Sequence, residues 1–217
     1  MKSSYKKILH DYRHFWMLSY ELLYLVWFTW LQTRNVHVPY YALHGHLDDL
    51  IPFWEVFAIP YFLWFVYVFV TKITLFFASP ELFVRYNTFL YGGMTFCLII
   101  YTLFPNGQML RPDPQRTNTL IWSIRTLWST DPPVNVCPSI HVYNSIGTTI
   151  ALWHFRPLKK YPILYYGSPV LTILIALSTA FLKQHSVIDV YAAFILAVPF
   201  YFLVFRRDSK LLEKLYK

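Results

Sequence analysis

Hydrophobic residues in this chain do not alternate with polar ones as in a half-buried strand, nor recur as the stripe of a surface helix. They gather into six long runs separated by short polar links: Phe15–Gln32, Pro52–Val70, Tyr86–Phe104, Ser139–Phe155, Pro162–Leu182 and Ile188–Phe205. A helix crossing a bilayer needs about 20 predominantly apolar residues, and each run reaches or approaches that length. The pattern predicts an all-α polytopic membrane protein with six transmembrane helices. No Ala-x-Ala-like cleavage site follows the first run, which is expected to be retained as an anchor. Without internal repeats or low-complexity tracts, residues 1–217 are expected to form a single transmembrane domain.

Composition supports that pattern. Charged residues make up 14% of the chain, against about a quarter in soluble domains, so lipid is the expected solvent for much of the surface. Trp and Tyr are abundant, as at helix ends anchored among headgroups. Fourteen of the 19 Lys and Arg fall in four segments: the N-terminal arm (Lys2, Lys6, Lys7, Arg13), the second link (Lys72, Arg85), the fourth link (Arg156, Lys159, Lys160) and the C-terminal tail (Arg206, Arg207, Lys210, Lys214, Lys217). Basic residues stay on the cytoplasmic side, so both termini are expected there and the first, third and fifth links outside. The net charge of +8 then fits a surface beside anionic lipid and calls for no nucleic acid partner. Cys97 lies within an apolar run, which argues against a disulfide with Cys137.

The chemistry-bearing residues collect on the outward side. The third link carries Arg111-Pro112 and ends in Pro138-Ser139-Ile140-His141; the fifth carries Lys183, His185 and Asp189, with Ser178 shortly before them. Ser139 is expected to cap the fourth helix, so that its hydroxyl and the amides of Ile140 and His141 face an anion at the positive end of the helix dipole. Arg111 offers a bidentate fork and Lys183 a point charge for the same anion. His185 and Asp189 are four apart, hence neighbours on a helical turn. Asp189 can accept one ring N–H of His185 and leave the other nitrogen free to attack phosphorus. His141 can protonate the leaving alkoxide and later deprotonate water.

Together these residues resemble the motifs of the type 2 phosphatidic acid phosphatase superfamily, which also includes the vanadium haloperoxidases and more distant lipid phosphotransferases. Its motifs read Lys-x6-Arg-Pro, Pro-Ser-Gly-His and Ser-Arg-x5-His-x3-Asp, at the extracytoplasmic end of a six-helix core. The resemblance implies His185 as nucleophile, Asp189 as its orienter, His141 as acid–base, and Arg111, Ser139 and Ser178 around the phosphate. It further implies a lipid phosphatase acting on a phosphomonoester or diphosphate of a membrane lipid through a phosphohistidine, without metal or other cofactor. Three positions depart from the family: Phe104 stands where the first motif has Lys, Ile140 replaces Gly, and Thr179 replaces Arg. Lys183, four residues beyond Thr179, is expected to lie on the same helical face and return the missing charge. Asn106 and Gln108 could donate uncharged hydrogen bonds in place of the Lys.

Lys-Gln-His-x3-Asp also looks like the third motif of sphingomyelin-type phosphotransferases, so transfer to an alcohol stands as an alternative. Binding of a lipid phosphate without catalysis is a second one, motivated by Phe104. A transporter is disfavoured, because no span shows paired Gly/Pro interruptions. His44, His46, Asp48 and Asp49 cluster in the first outward link at a spacing that fits no zinc site. Glu21 and Glu55 lie within or at the edge of spans; Glu55, near the outward end, is expected at headgroup level rather than behind the site, His154 at the interface, and Arg116 and Arg125 as ordinary loop cations.

Overall fold

A computed structural model describes residues 13–206. The basic residues Lys2, Lys6, Lys7, Arg207, Lys210, Lys214 and Lys217 lie outside the described residues, and with them much of the charge pattern that orients the termini. A 3₁₀ segment, Arg13–Leu18, leads into α1 (Ser19–Asn35). There follow α2 (His46–Leu50), α3 (Ala58–Ala78), α4 (Pro80–Leu103), α5 (Thr119–Thr130), α6 (Ile140–His154), α7 (Pro162–Phe181) and α8 (Val187–Tyr201). A π-helical turn, Phe202–Arg206, ends the described chain just after Pro199.

All six hydrophobic runs are helical. Three segments are both long and apolar enough to cross a membrane: Glu55–Ala78, Pro162–Phe181 and Val187–Arg206. The other three fall short for separate reasons. α1 has 17 residues and α6 only 15, roughly 25 and 22 Å at 1.5 Å per residue. α4 is longer, but carries Glu81, Arg85, Asn87 and Thr88 in its first half. The second link is also shorter than the sequence pattern implies. Ser79 alone separates α3 from α4, so Lys72 and Arg85 lie on helices rather than in a loop. Lys72 pairs with Glu21 on α1, and Arg85 reaches Glu81 and the Val204 carbonyl.

Local chemistry explains the helix boundaries. Pro80 and Pro162 occupy first-turn positions, where a missing N–H costs no hydrogen bond. Asn118 and Ser139 are extended N-caps that accept the amides of Ile121 and Val142. Ser186 and Asp189 form a reciprocal capping box on α8.

α6 occupies the centre, packed against α3, α4, α7 and α8, with α1 outside α4. Its neighbours meet it through polar side chains: Tyr86 to Thr148 at 2.9 Å, Tyr67 to Thr149 at 2.8 Å, and Thr149 to Thr172 at 2.7 Å. The outer faces are apolar instead; Phe65, Phe69, Ile173, Leu177 and Ile195 are all exposed. A hydroxyl-rich interior under an apolar surface reverses the distribution in a soluble bundle and matches helix packing in lipid.

Gly93 of α4 permits close approach to α6, since a Cβ there would stand 2.0 Å from Tyr143 Cζ. Gly93→Ala is expected to lower stability by about 1–3 kcal/mol through overpacking. Gly167→Ala, with nothing within 4 Å of the new methyl, should leave the melting temperature unchanged or slightly raised. Thermal unfolding of both variants in detergent checks the contrast.

Two elements were not expected. Tyr41–Ala42 pairs in parallel with Asn106–Gly107, tying the first long loop to the third. α5 packs against the turn Glu55–Phe57 and α3.

Candidate active site

Four helix ends meet at one level. The Ser139 amide donates to the Asp189 carbonyl at 3.1 Å, joining the N-terminal ends of α6 and α8. The Trp54 amide donates to the Phe181 carbonyl at 3.2 Å, bringing the start of α3 to the end of α7. His141, His185 and Asp189 therefore come together although they belong to α6, the α7–α8 turn and α8.

Asp189 is fully buried, and its Oδ2 accepts the Ser186 amide at 2.9 Å and lies 3.2 Å from His185 Nδ1. The opposite ring nitrogen, His185 Nε2, lies 3.4 Å from His141 Nδ1. His141 Nε2 is in turn 3.1 Å from the Tyr61 hydroxyl, and the Trp64 ring packs 4.5 Å from the imidazole. The pairing of His185 with Asp189 expected from their spacing is present, with His141 beside them.

Arg111 reaches the same constellation from the third loop. Its guanidinium donates to Gln184 Oε1 at 2.5 Å and to the carbonyls of Trp128 and Asp131, and it stacks over the Trp128 ring. Burial pushes Arg111 down to about 10, against the pull of Asp131; burial also raises Asp131, against His185 and Arg111. Arg111 Nε and the indole nitrogens of Trp64 and Trp128 are buried donors without acceptors. Such groups are costly unless an acceptor arrives, and an anion's oxygens would supply it.

Ser139 is completely buried, and its Oγ accepts from Val142, which leaves the hydroxyl proton free to donate. The amides of Ile140 and His141, at the first two positions of α6, have no intrahelical acceptor.

Comparison with protein-family models, curated proteins and solved structures finds no match to this chain. The site's own geometry therefore carries the functional argument.

That geometry corrects several expectations. Lys183 does not continue the helical face of Thr179. α7 ends at Phe181, Lys183 takes left-handed backbone (φ 54°), and the amides of Gln184 and His185 both turn back to the Thr179 carbonyl, in the manner of a helix C-cap normally built on glycine. Its ammonium, lowered below the ordinary lysine range by burial, donates to the carbonyls of Asp48 (2.8 Å) and Ile51 (2.5 Å). Ser178 donates its hydroxyl to the Ile175 carbonyl within α7, so as a donor it is engaged there. Asn106 donates to the carbonyls of Phe104 and Cys137, and Gln108 to that of Lys183. Neither is free to stand in for the absent lysine.

Asp48 is not held in a histidine cluster. Its carboxylate, 4% exposed, takes the Ser186 hydroxyl at 2.6 Å, the Val187 amide at 2.8 Å and the Gly45 amide at 2.7 Å. His44 pairs with Asp49 at the surface, and among the described residues no three His, Cys, Asp or Glu side chains gather as a metal site. Glu55 accepts from Arg116 and Asn118, and Arg125 donates to Asp113 at 3.5 Å in an exposed pair. Both cysteines are free, and burial pushes Cys137 up to about 12.

Sequence reasoning passed over Tyr61, Gln184, Asp131 and Trp128. Gln184 adjoins His185 in the motif and could have been singled out; Tyr61 lies in an apolar run with nothing to mark it.

Lys183→Met is expected to lower stability by about 1–3 kcal/mol by leaving two buried carbonyls unpartnered. The ammonium engages the first long loop, so no loss of turnover beyond that from destabilisation is expected. Thermal unfolding and single-turnover rates on the same preparations distinguish the two effects.

Proposed function

We propose that the chain is an integral membrane protein of six spans, both termini cytoplasmic, that hydrolyses a phosphomonoester or diphosphate of a membrane lipid at the extracytoplasmic face through a phosphohistidine. The observation that carries this is the row Asp189–His185–His141, assembled from separate segments at the mouths of two helix N-termini, with Arg111 one glutamine away. Orienter, nucleophile, acid–base and cation are the parts that phosphoryl transfer through a covalent enzyme requires.

His185 Nε2 attacks phosphorus as the bond to the lipid oxygen breaks, and the proton on His141 Nδ1 passes to the departing alkoxide. Water then attacks the phosphohistidine, His141 takes one of its protons, and inorganic phosphate leaves with His185 restored. Asp189 holds the His185 Nδ1–H throughout and steadies the positive ring. Arg111, the Ser139 hydroxyl and the amides of Ile140 and His141 meet the phosphate oxygens, with the dipole of α6 behind them.

The two histidines are 3.4 Å apart, in direct contact. A phosphorus about 3–3.5 Å from Nε2, with its leaving oxygen hydrogen-bonded to His141, needs more room than that. Substrate therefore enters by parting the two rings. Three spans fall below ordinary length or apolarity; Trp and Tyr at their ends suit all three to a bilayer, the hydroxyl ladders fit α4 and α6 to helices shielded by neighbours, and α1 lies outside α4 with an exposed apolar face.

The test is incubation of purified protein with a panel of lipid phosphates, with and without an alcohol acceptor. Released inorganic phosphate is the expected product. A new phospholipid formed only with the acceptor would make the protein a transferase, and binding without either product would make it a lipid-phosphate binder. Orthovanadate is expected to inhibit, because five-coordinate vanadate bonded to His185 mimics the transferring group; unchanged vanadate affinity in His185→Ala would place the nucleophile elsewhere.

A further inference from the structure

We propose that Tyr61 is a positioning residue that sets the protonation of His141, as one member of a hydrogen-bonded row whose direction is fixed at both ends. The inference rests on the phosphohistidine mechanism above for its kinetic consequence, but the row itself is a matter of donors and acceptors.

Arg111 only donates. Its bond to Gln184 Oε1 at 2.5 Å turns the amide so that Nε2, also donor-only, faces the Tyr61 oxygen at 3.3 Å and Asp131 Oδ2 at 3.4 Å. The tyrosine oxygen accepts from Gln184, which leaves the phenolic proton for His141 Nε2 at 3.1 Å. His141 Nε2 is then bare, and its proton sits on Nδ1.

The other end gives the same answer. The Asp189 carboxylate only accepts, so His185 carries its proton on Nδ1 and presents a bare Nε2. Bare Nε2 can only accept from His141, which again puts the His141 proton on Nδ1 at 3.4 Å. Every donor from Gln184 to His185 then has an acceptor. In the reverse arrangement, with His141 donating through Nε2, the Tyr61 oxygen would accept twice. Its own proton would face only donors: Gln184 and His141 nitrogens are the hydroxyl's two neighbours among the described residues.

Tyr61 is 1% exposed and reaches this place from the first turns of α3. It aims the protonated edge of His141 at the phosphoryl position. As the Nδ1 proton passes to the lipid alkoxide, the phenolic proton moves to Nε2, and both return when water is split. Between the two steps the pair is one proton short, with the charge on the Tyr61 oxygen beside the Gln184 amide, and the proton taken from water restores it. The bond is to His141 rather than to the lipid, so its loss falls on turnover and not on affinity.

The experiment compares wild type with Tyr61→Phe, which keeps the ring against His141 and Trp64. In ¹⁵N-histidine-labelled wild type, the His141 signals are expected to show a protonated Nδ1 and a hydrogen-bonded, unprotonated Nε2. In Tyr61→Phe the Nε2 signal should move to that of an unbonded ring nitrogen. With a short-chain lipid phosphate, kcat should fall about tenfold to a hundredfold, the range for losing one buried hydrogen bond, with KM changed less than about twofold. A wild-type His141 protonated on Nε2 overturns the proposal without reference to any variant. So does a folded Tyr61→Phe protein with unaltered kcat, or a loss carried by KM. If wild type turns over no phosphate ester, the proposed function fails, while the NMR arm still decides the row.

Discussion

His185→Ala and His141→Ala are each expected to abolish lipid-phosphate hydrolysis while leaving the protein folded. In the proposed mechanism His185 supplies the atom that bonds phosphorus, and His141 the proton without which the alkoxide is a poor leaving group. Each loss should be on the order of 10⁴-fold or more, and the double variant should be no slower than the worse single one, because groups that act as a unit do not add. Initial rates at saturating substrate, with thermal unfolding as the folding control, provide the measurement. Near wild-type activity in either variant would remove the histidine row from the chemistry.

The second large effect is expected at Asp48, which touches neither histidine. Its buried carboxylate holds the Ser186 hydroxyl and the amides of Val187 and Gly45, while its carbonyl receives the Lys183 ammonium. Asp48→Ala would strand the Ser186 hydroxyl and Val187 amide at the start of α8 and the Gly45 amide at the start of α2, a donor costing about 1–3 kcal/mol when buried and unpartnered. The expected result is a loss of several kcal/mol in stability, together with reduced turnover, because the same turn carries His185 and Asp189. Asp48→Asn keeps an acceptor of similar shape and should recover a substantial part of both. If Asp48→Ala unfolds at the wild-type temperature, the first loop does not brace the turn.

The contrast between Asp48 and the histidines shows what the sequence could reveal. Helical runs were legible because lipid-facing helices announce themselves by composition, and the row Asp189–His185–His141 because four-residue spacing and helix starts are local features. Ser139 as a cap belongs to the same class. The role of Asp48 was not legible: its partners Ser186 and Val187 lie nearly 140 positions away, and two acids beside two histidines suggest ligands more readily than a cap. Lys183 misled for a related reason. Spacing from Thr179 predicts a shared face only while the helix continues, and a left-handed lysine carries none of the warning that a glycine would give. α5 was within reach, since Leu120, Ile121, Ile124, Leu127 and Trp128 follow a helical stripe behind the Asn118 cap. Its charged and prolyl surroundings made it read as loop.

With Lys183 and Gln108 committed to the scaffold, the proposed mechanism leaves the phosphate's charge chiefly to Arg111 and the N-terminus of α6. The catalytic account then hangs on one covalent bond. Rapid quenching of the wild-type protein during turnover of a lipid carrying ³²P-phosphate, in alkali, where phosphohistidine survives, followed by peptide mapping, tests it directly. Label on the peptide containing His185, lost on acid treatment and missing from His185→Ala, is the expected result. Turnover with no covalent label, or label on another residue, would contradict it.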